Sequence, residues 1–435
     1  MNDPGGQRRE WAAAAAEHVT PARLRELVRG LVDIPSPTGD EAPLAEHITS
    51  TLRAAGITAV TQLIDDRQAN SWGRMTGSGT GPDLMFYAPI DTLTTGDPDQ
   101  DMPWIGPRWR PDMAAESSVD GDLVIGLGAS NPKGHAACVL AAAEAIRDAG
   151  LPLTGDLVVA FGAGGMPTNS LPGSARRNTG QGAGCSFLLE QGVWADYALI
   201  AKPGWSVSWE EVGLSWFEVT VHGTHTYVGS RHRLPYRNAV ADVGRVAERL
   251  ESWFEQYADR HTDGLVAPQG IVSSAEGGWP RMAAVTTAAI RLMIDLRLSP
   301  RTSPMQAKRE FAAAIDTIRA DLPDVTLSWR PVLAIPAGST DPDSWICRSA
   351  IAAWERAAGR AHEPAGGNSG ATDANILRVR GIPTVRVGMP KVPTTDFTAG
   401  MNTVDVREME RLTRYLVDVA VDTVTRTRPE TGLPA

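Results

Sequence analysis

The sequence predicts an α/β protein: a large domain with a mostly parallel sheet flanked by helices, and a smaller α+β domain inserted into it. Three features carry this expectation. Short, continuous apolar runs alternate with helical segments through the first half of the chain, the pattern of strands buried on both faces. After about Trp209 the texture changes to half-buried alternation, strand–helix–strand–helix–strand. The C-terminal part then returns to the first style. The expected boundaries are 1–209 with 329–435 for the large domain and 210–328 for the insert.

The elements follow in order. From Thr20 to Val32 apolar residues recur at helical spacing, with Pro21 suited to a first helical position. The turn residues Ser36-Pro37-Thr38-Gly39-Asp40-Glu41 open a second helix near Ala42 to Ala55. Leu84–Ala88, Leu157–Phe161 and Ala198–Ile200 read as buried strands, and Gly134 to Ala149 as a strong helix without internal proline. In the insert, Trp216–His222, Ala288–Asp295 and Val325–Trp329 read as strands, and Asn238–Tyr257 and Ser303–Leu322 as helices. A helix at Pro342–Ala358, a strand at Pro383–Val387 and a last helix from Val406 to Thr425 complete the large domain. The tail from Arg426 onward is expected to fray.

Composition narrows the function classes. A chain of 435 residues is long enough for two domains, and 42% hydrophobic with 21% charged residues describes a globular protein. A net charge of −10 argues against a nucleic-acid partner, since no basic stripe is present to meet phosphates. Cys138, Cys185 and Cys347 are widely spaced, which suits a reducing compartment and offers neither a disulfide framework nor a zinc knuckle. No apolar stretch reaches membrane-spanning length, and the N-terminal alanine run lacks signal-peptide character. A cytoplasmic protein without a membrane partner is the expectation.

The order of several short motifs then carries a resemblance over nearly the whole chain. I-P-S-P-T-G-D-E (Ile34–Glu41), A-N-S-W-G-R (Ala69–Arg74) and D-L-M-F-Y-A-P-I-D-T (Asp83–Thr92) are followed by G-L-G-A-S-N-P-K-G-H (Gly126–His135) and A-L-I-A-K-P-G (Ala198–Gly204). I-D-L-R-L-S-P (Ile294–Pro300), N-S-G-A-T-D-A (Asn368–Ala374) and G-I-P-T-V-R-V-G (Gly381–Gly388) complete the series. In this order the chain resembles the zinc-dependent family of acetylornithine deacetylase, succinyl-diaminopimelate desuccinylase, aminoacylase and glutamate carboxypeptidase. The resemblance implies two zinc ions held by histidine and carboxylate side chains, which polarise an amide carbonyl and deliver hydroxide while a glutamate moves the proton.

This sequence departs from the pattern at each ligand. The first histidine slot holds Pro89, although the aspartate two residues later survives as Asp91. The bridging aspartate is replaced by Asn131, and the Glu-Glu pair falls at Gly165 and Met166 or their immediate neighbours. Lys202 stands for the acid before a proline, and the late histidine falls near Thr398. Proline, glycine, threonine and methionine offer little to zinc in a closed site, and a lysine repels it. Because carboxylates and cation-binding groups disappear together while Gly126, Gly128, Lys133, Gly134, Gly370, Thr372 and Asp373 persist, the sequence points to a re-purposed pocket. In it Lys202 acts as the cation and Asp91 as its partner or as a base. An apolar setting lowers a lysine's pKa toward a base or nucleophile, and a nearby aspartate pushes the other way.

Other candidates each have a bland alternative. His135, at the start of the strong helix, reads as an acid–base group or anion site, or as a packing histidine. His225 and Tyr227 lie where the family has a small-domain histidine that reaches a partner subunit's site to hold an oxyanion; the alternative is a turn histidine and a packed tyrosine. Arg297 resembles the family arginine that grips a substrate carboxylate, or forms a strand ion pair with Asp295. Asn131, Lys133, Asn368, Gly370 and Thr372 are further substrate-binding candidates, with Asp373 read mainly as a helix cap. The thirteen tryptophans, against seven phenylalanines, either line a pocket for an apolar substrate or serve core and interface. A cysteine nucleophile at Cys138 or Cys185, or a new metal site from Asp91, Asp97 and His135, has weaker support.

The expected activity is on an amide or related C–N bond of a small, carboxylate-bearing substrate such as an N-acyl amino acid or dipeptide, with no metal and no cofactor. The alternatives are changed chemistry through a lysine base (amide-forming transfer, elimination or isomerisation) and a binding protein without turnover. The inserted domain is expected to serve as a lid or dimerisation domain, with a homodimer as the assembly.

Overall fold

The computed structural model describes residues 4–102, 104–169, 179–390, 392–394 and 396–435. The alanine run forms helix α1 (Pro4–Glu17), ahead of α2 (Pro21–Val32) and α3 (Ala42–Ala54). The Thr20 hydroxyl caps α2 by accepting from the Arg23 amide, with Pro21 in its first turn. A hairpin, β1 (Thr58–Leu63) and β2 (Ala69–Met75), leads to β3 (Leu84–Pro89). The short turn α4 (Pro98–Asp101) and the ribbon β4 (Ser118–Asp120) and β5 (Leu123–Ile125) precede the long helix α5 (Lys133–Asp148). Strand β6 (Leu157–Gly162), α6 (Ala183–Glu190) and β7 (Tyr197–Ala201) follow.

The next stretch holds β8 (Glu210–Glu211), β9 (Gly213–His222), α7 (Ala239–His261), β10 (Gly270–Gly277), β11 (Ala289–Leu298), α8 (Pro304–Asp321), β12 (Thr326–Ile335) and β13 (Gly338–Ser339). The chain ends with α9 (Trp345–Ala358), α10 (Ala374–Val379), β14 (Thr384–Val387), α11 (Phe397–Asn402), β15 (Thr403–Asp405) and α12 (Val406–Val424).

The larger of two compact units comprises residues 1–209, 340–364 and 372–435. Its six-stranded sheet has the order β1-β2-β6-β3-β7-β14. The four strands β6, β3, β7 and β14 run parallel, and the β1–β2 hairpin adds antiparallel to β6. The strand period of two divides the burial between two faces. Leu84, Phe86, Leu157, Val159, Phe161 and Leu199 pack into the core shared with the helices that include α2, α5 and α12. Met85, Tyr87, Val158, Ala160, Ala198 and Ile200 pack against α6 and α10. Both faces are covered, which explains why these strands read as unbroken apolar runs.

The smaller unit comprises residues 210–339 and 365–371. Its antiparallel sheet, β10-β11-β9-β12, buries alternate residues Phe217, Val219, Val221, Leu292, Ile294 and Leu296 against α7 and α8. Phe217 stacks on Phe311 of α8 with ring centroids 4.2 Å apart. The fold is therefore an α/β unit with a mostly parallel sheet plus a smaller α+β unit.

Two expectations need correction. The return to the large unit, placed at 329, falls inside β12, because Leu333 and Ile335 still pair with Trp216 and Leu214 of β9. The C-terminal tail does not fray: Arg428 forks onto Asp196 at 2.9 and 3.0 Å, and the Tyr197 hydroxyl donates to the Thr431 carbonyl at 2.8 Å. No helix among the described residues is long and apolar enough to cross a membrane.

Candidate functional site

In a parallel sheet, every strand of one direction delivers its next loop to the same edge, and ligands bind there. The loops after β3, β6, β7 and β14 begin with Ile90-Asp91, Ala163-Gly164-Gly165, Lys202 and Gly388-Met389. The topology thus collects Asp91, the glycine loop and Lys202 at one edge of the large unit.

Lys202 is buried, and its ammonium donates to Asn131 Oδ1 at 3.2 Å. Asn131 sits in the turn before α5, where the Ser130 and Asn131 amides both donate to the Met401 carbonyl, at 2.9 and 3.0 Å. It lines a narrow cleft of about 10 Å³ with Thr92, Thr94, Leu127, Thr398 and Asn402. The lining is neutral: hydroxyl, amide and apolar groups. Gly128 keeps this corner tight, since its φ of 72° suits glycine and an added Cβ would lie 2.9 Å from Thr92 Cγ2.

Asp91 is fully buried and its carboxylate is wrapped. Oδ1 accepts from the Gly165 amide at 2.8 Å; Oδ2 accepts from the Met166 amide at 2.9 Å and the Thr38 hydroxyl at 2.7 Å. Burial pushes its pKa above the ordinary range, against the opposing pull of these donors and of the Lys202 charge. These contacts fit Asp91 as the electrostatic partner of Lys202. They do not fit it as a proton-accepting base, because the oxygens are committed to the β6 loop and away from water.

A second acid, absent from the sequence-derived candidates, lies behind Asp91. Glu41 is fully buried, and its Oε1 accepts from the Gly39 amide at 3.0 Å, the Gly164 amide at 2.9 Å and Gln68 Nε2 at 3.3 Å. Its Oε2 is buried with no hydrogen-bond partner among the described residues. Burial first, and the Asp91 charge second, push its pKa up to about 8. Three successive amides of the β6 loop, those of Gly164, Gly165 and Met166, are therefore divided between Glu41 and Asp91. Glu41 stood in plain view in the motif Ile34–Glu41, but its burial had no signature in the sequence.

The positions at which the resemblance would place metal ligands are tightly packed. An added Cβ at Gly165 would lie 2.4 Å from Pro89 Cβ and 2.9 Å from Asp373 Oδ2, so two of the slots close on each other. The Thr398 hydroxyl donates to Asp396 at 2.7 Å and accepts from Arg110 at 2.6 Å. Among the described residues no three His, Cys, Asp or Glu side chains come together as metal ligands. The donor set, with proline, asparagine, glycine, lysine and threonine at the slots, does not fit a pair of zinc ions. Asp97 caps α4, with its side chain accepting from the Asp99 amide, and is not gathered with Asp91 and His135 into a cation site.

Several candidates take local, structural roles. His135 is fully buried between two main-chain groups: Nδ1 meets the Ser130 carbonyl at 2.7 Å, and Nε2 accepts from the Met389 amide at 3.2 Å. Burial lowers its pKa to about 3, and both ring nitrogens are committed, so it is no acid–base group. We expect His135→Phe to cost about 3 kcal/mol, since a buried carbonyl and amide lose their partners. The unfolded imidazole binds a proton below its ordinary value near 6.5, which the native ring refuses down to about 3. Wild type should therefore lose stability as pH falls through that window, and the variant should lose less. Thermal unfolding at pH 5 and pH 8 measures both effects.

Lys133 is also fully buried, but its ammonium reaches back to the Ile34 carbonyl at 2.7 Å and the Val32 carbonyl at 3.5 Å, closing the end of α2. That contact makes it a tether and not a substrate ligand. The Thr372 hydroxyl accepts from the Ala374 amide at 3.2 Å within its own turn. Asp373 holds the cap position of α10 without a capping bond and instead accepts from the Tyr87 hydroxyl at 2.7 Å. Burial raises all three cysteine thiols, Cys138 to about 12 and Cys347 to about 11, which removes a thiolate nucleophile. Trp205 packs on Trp354 and Tyr415 at the core, with centroids 6.0 and 5.7 Å away.

In the smaller unit Arg297 forks onto Asp295 at 2.8 and 3.0 Å, and Asp295 also accepts from Trp216 Nε1 at 3.0 Å. This strand ion pair replaces the expected grip on a substrate carboxylate. Asn368 is part of a turn, accepting from the Gly370 amide at 3.1 Å. His225 is exposed, with Nδ1 on the Thr286 carbonyl at 2.8 Å. Tyr227 is 55% exposed and forms an isolated bridge with Val285; Val228, Leu234, Trp279 and Met282 are exposed as well.

No family model matches the chain. Solved structures do share its fold. Human carnosine dipeptidase 1 matches with a TM-score of 0.71 over 96% of this chain and 99% of its own, at 12% identity. A tripeptidase from Staphylococcus aureus matches with a TM-score of 0.66 over 94% and 100%, at 14% identity. An M20 family metallo-carboxypeptidase from Sulfolobus solfataricus matches with 0.68 over 93% and 99%, at 13% identity. At these identities the likeness establishes the fold, one that peptidases use, and the site's own residues must carry the chemistry.

Proposed function

We propose that this chain is a divergent member of the zinc-dependent aminoacylase and carboxypeptidase family whose site works without metal. It acts on an amide or related C–N bond of a small carboxylate-bearing substrate, an N-acyl amino acid or dipeptide-like molecule. The observation that carries this reading is the Lys202–Asn131 pair, a buried ammonium 3.2 Å from an amide oxygen at the edge where the parallel strands end. A buried cation held beside a neutral cleft stabilises a carbonyl or carboxylate oxygen that gains negative charge. The Asp91 carboxylate attracts the Lys202 charge, and the Gly165 and Met166 amides hold Asp91 in place. That the proteins sharing this fold include a dipeptidase, a tripeptidase and a metallo-carboxypeptidase supports the bond type.

The exposed His225 and Tyr227 suit donors offered to a second subunit, and we infer a cytoplasmic homodimer on the family's pattern. The test is turnover of a panel of N-acyl amino acids and dipeptides with chelator present, followed by release of free amine. Release that survives the chelator supports the reading; release abolished by chelator and restored by zinc overturns it. A substrate consumed without amine release would assign the site to the lysine-base chemistries instead.

A further inference from the structure

The cleft beside Asn131 is too small for the substrate class proposed above. At about 10 Å³ it holds roughly one water molecule, so a wall has to move before a dipeptide enters. One wall is made by Thr398, Met401 and Asn402 of α11. We propose that α11 is a lid on this cleft and that Arg110 is the positioning residue that latches it shut. The inference rests on the assignment of this cleft to the reaction.

The two ends of α11 are held in different ways. Its last turn is stitched to the segment that carries Asn131. The Ser130 and Asn131 amides donate to the Met401 carbonyl, the Gly126 amide to the Asn402 carbonyl, and the Gly128 amide to Asn402 Oδ1 at 2.9 Å. Asn402 is buried, and its Nδ2 donates to Asp112 at 3.1 Å. The first turn is capped from within, with Asp396 Oδ1 accepting from the Thr398 and Ala399 amides. Among the described residues, the hydrogen bonds from Asp396–Gly400 to any residue outside 394–402 all come from Arg110. One guanidinium nitrogen donates to Asp396 Oδ2 at 2.8 Å and another to the Thr398 hydroxyl at 2.6 Å.

The other side of the latch is anchored. Arg110 precedes the turn Pro111–Met113, in which Met113 is buried, and the Leu127 amide donates to the Ala114 carbonyl at 2.8 Å. Arg110 also forks onto Asp112 at 2.8 and 3.0 Å. A single guanidinium thus joins two carboxylates, Asp112 on the anchored side and Asp396 on the lid. Without it the two like charges repel, and the first turn is free to swing about the fixed last turn. The Arg110 and Asp396 side chains keep 29% and 46% of their surface in solvent, so salt weakens the joint. That exposure suits a contact that opens and closes, because breaking a buried pair would strand an unsolvated charge.

The test is a thiol-labelling assay on the full chain. Thr92→Cys places a thiol in the cleft lining, on the loop after β3. Cys138, Cys185 and Cys347 are buried and report general unfolding in the same sample. We expect N-ethylmaleimide to label the introduced thiol tenfold or more faster when Arg110→Ala is added. Asp396→Asn, which keeps an oxygen for the α11 cap, should speed labelling several-fold. Added salt should accelerate labelling while Arg110 is present and have no effect in Arg110→Ala. Arg414→Ala, which removes an exposed ion pair with Glu410 on α12, should change nothing. Rates unchanged in both latch variants, or rising in step with the three native thiols, would overturn the proposal. The assay needs no substrate, so a chain without turnover would sink the catalytic reading and leave the latch result standing.

Discussion

Lys202→Met is expected to lower kcat/KM for the carboxylate-bearing substrate by at least about 100-fold, the scale of losing one donor to a developing oxyanion. Methionine keeps the length of the side chain and removes the charge. The same change is not expected to unfold the protein. Removing one partner leaves the buried Asp91 charge uncompensated, at a cost of about 3–5 kcal/mol, which the three donors on its carboxylate reduce. The melting temperature should therefore fall by several degrees while the protein stays folded and turnover collapses. Lys202→Arg tests the geometry: the charge persists, but the planar fork cannot occupy a lysine's point-charge site beside Asn131. Unchanged kinetics in Lys202→Met would remove the residue from the mechanism.

Glu41→Gln is expected to stabilise the protein, and by more as the pH rises. The sign follows from the buried acid. Free glutamic acid gives up its proton near 4.5, whereas native Glu41 holds it to about 8. Between those values the folded chain binds a proton that the unfolded chain has lost, so stability falls as pH rises, by about 1.4 kcal/mol per pH unit for an isolated group. Below 4.5 the acid is neutral in both states and the penalty vanishes. Glutamine is neutral throughout and keeps the oxygen that receives the Gly39 and Gly164 amides. Melting curves of wild type and variant should converge near pH 4 and separate by several degrees at pH 8. Parallel curves across that range would show that Glu41 is ionised in the native protein at neutral pH.

The fold was legible because its strands and helices differ in period. β3, β6 and β7 are buried on both faces and appear as continuous apolar runs, while β9 and β11 alternate. The elements that escaped notice lack such a signal. β10, Gly-Ile-Val-Ser-Ser-Ala-Glu-Gly, is mostly exposed and reads as a loop. The site was legible only as positions. Lys202 and Asp91 are placed by strand ends that the sheet topology brings to one edge, and Asn131 by the turn before α5. What the remaining polar residues touch depends on reach. Lys133 has a four-carbon stem that carries its charge back to α2, a contact no local pattern shows. His135 satisfies main-chain groups at Ser130 and Met389, far apart in sequence. Arg297 was decipherable in principle, since Asp295 lies two residues away on the same strand face. Glu41 is the opposite case: its role depends on the Gly164 amide, which only the folded chain brings to it.

The most direct test of a site built around Lys202 is the metal content of active protein purified without chelator, read by elemental mass spectrometry alongside its turnover. Zinc, cobalt and manganese far below one atom per chain, with turnover intact, is the result this account expects. One or two atoms per chain, lost together with turnover on chelation, would contradict it and return the protein to the metallohydrolases.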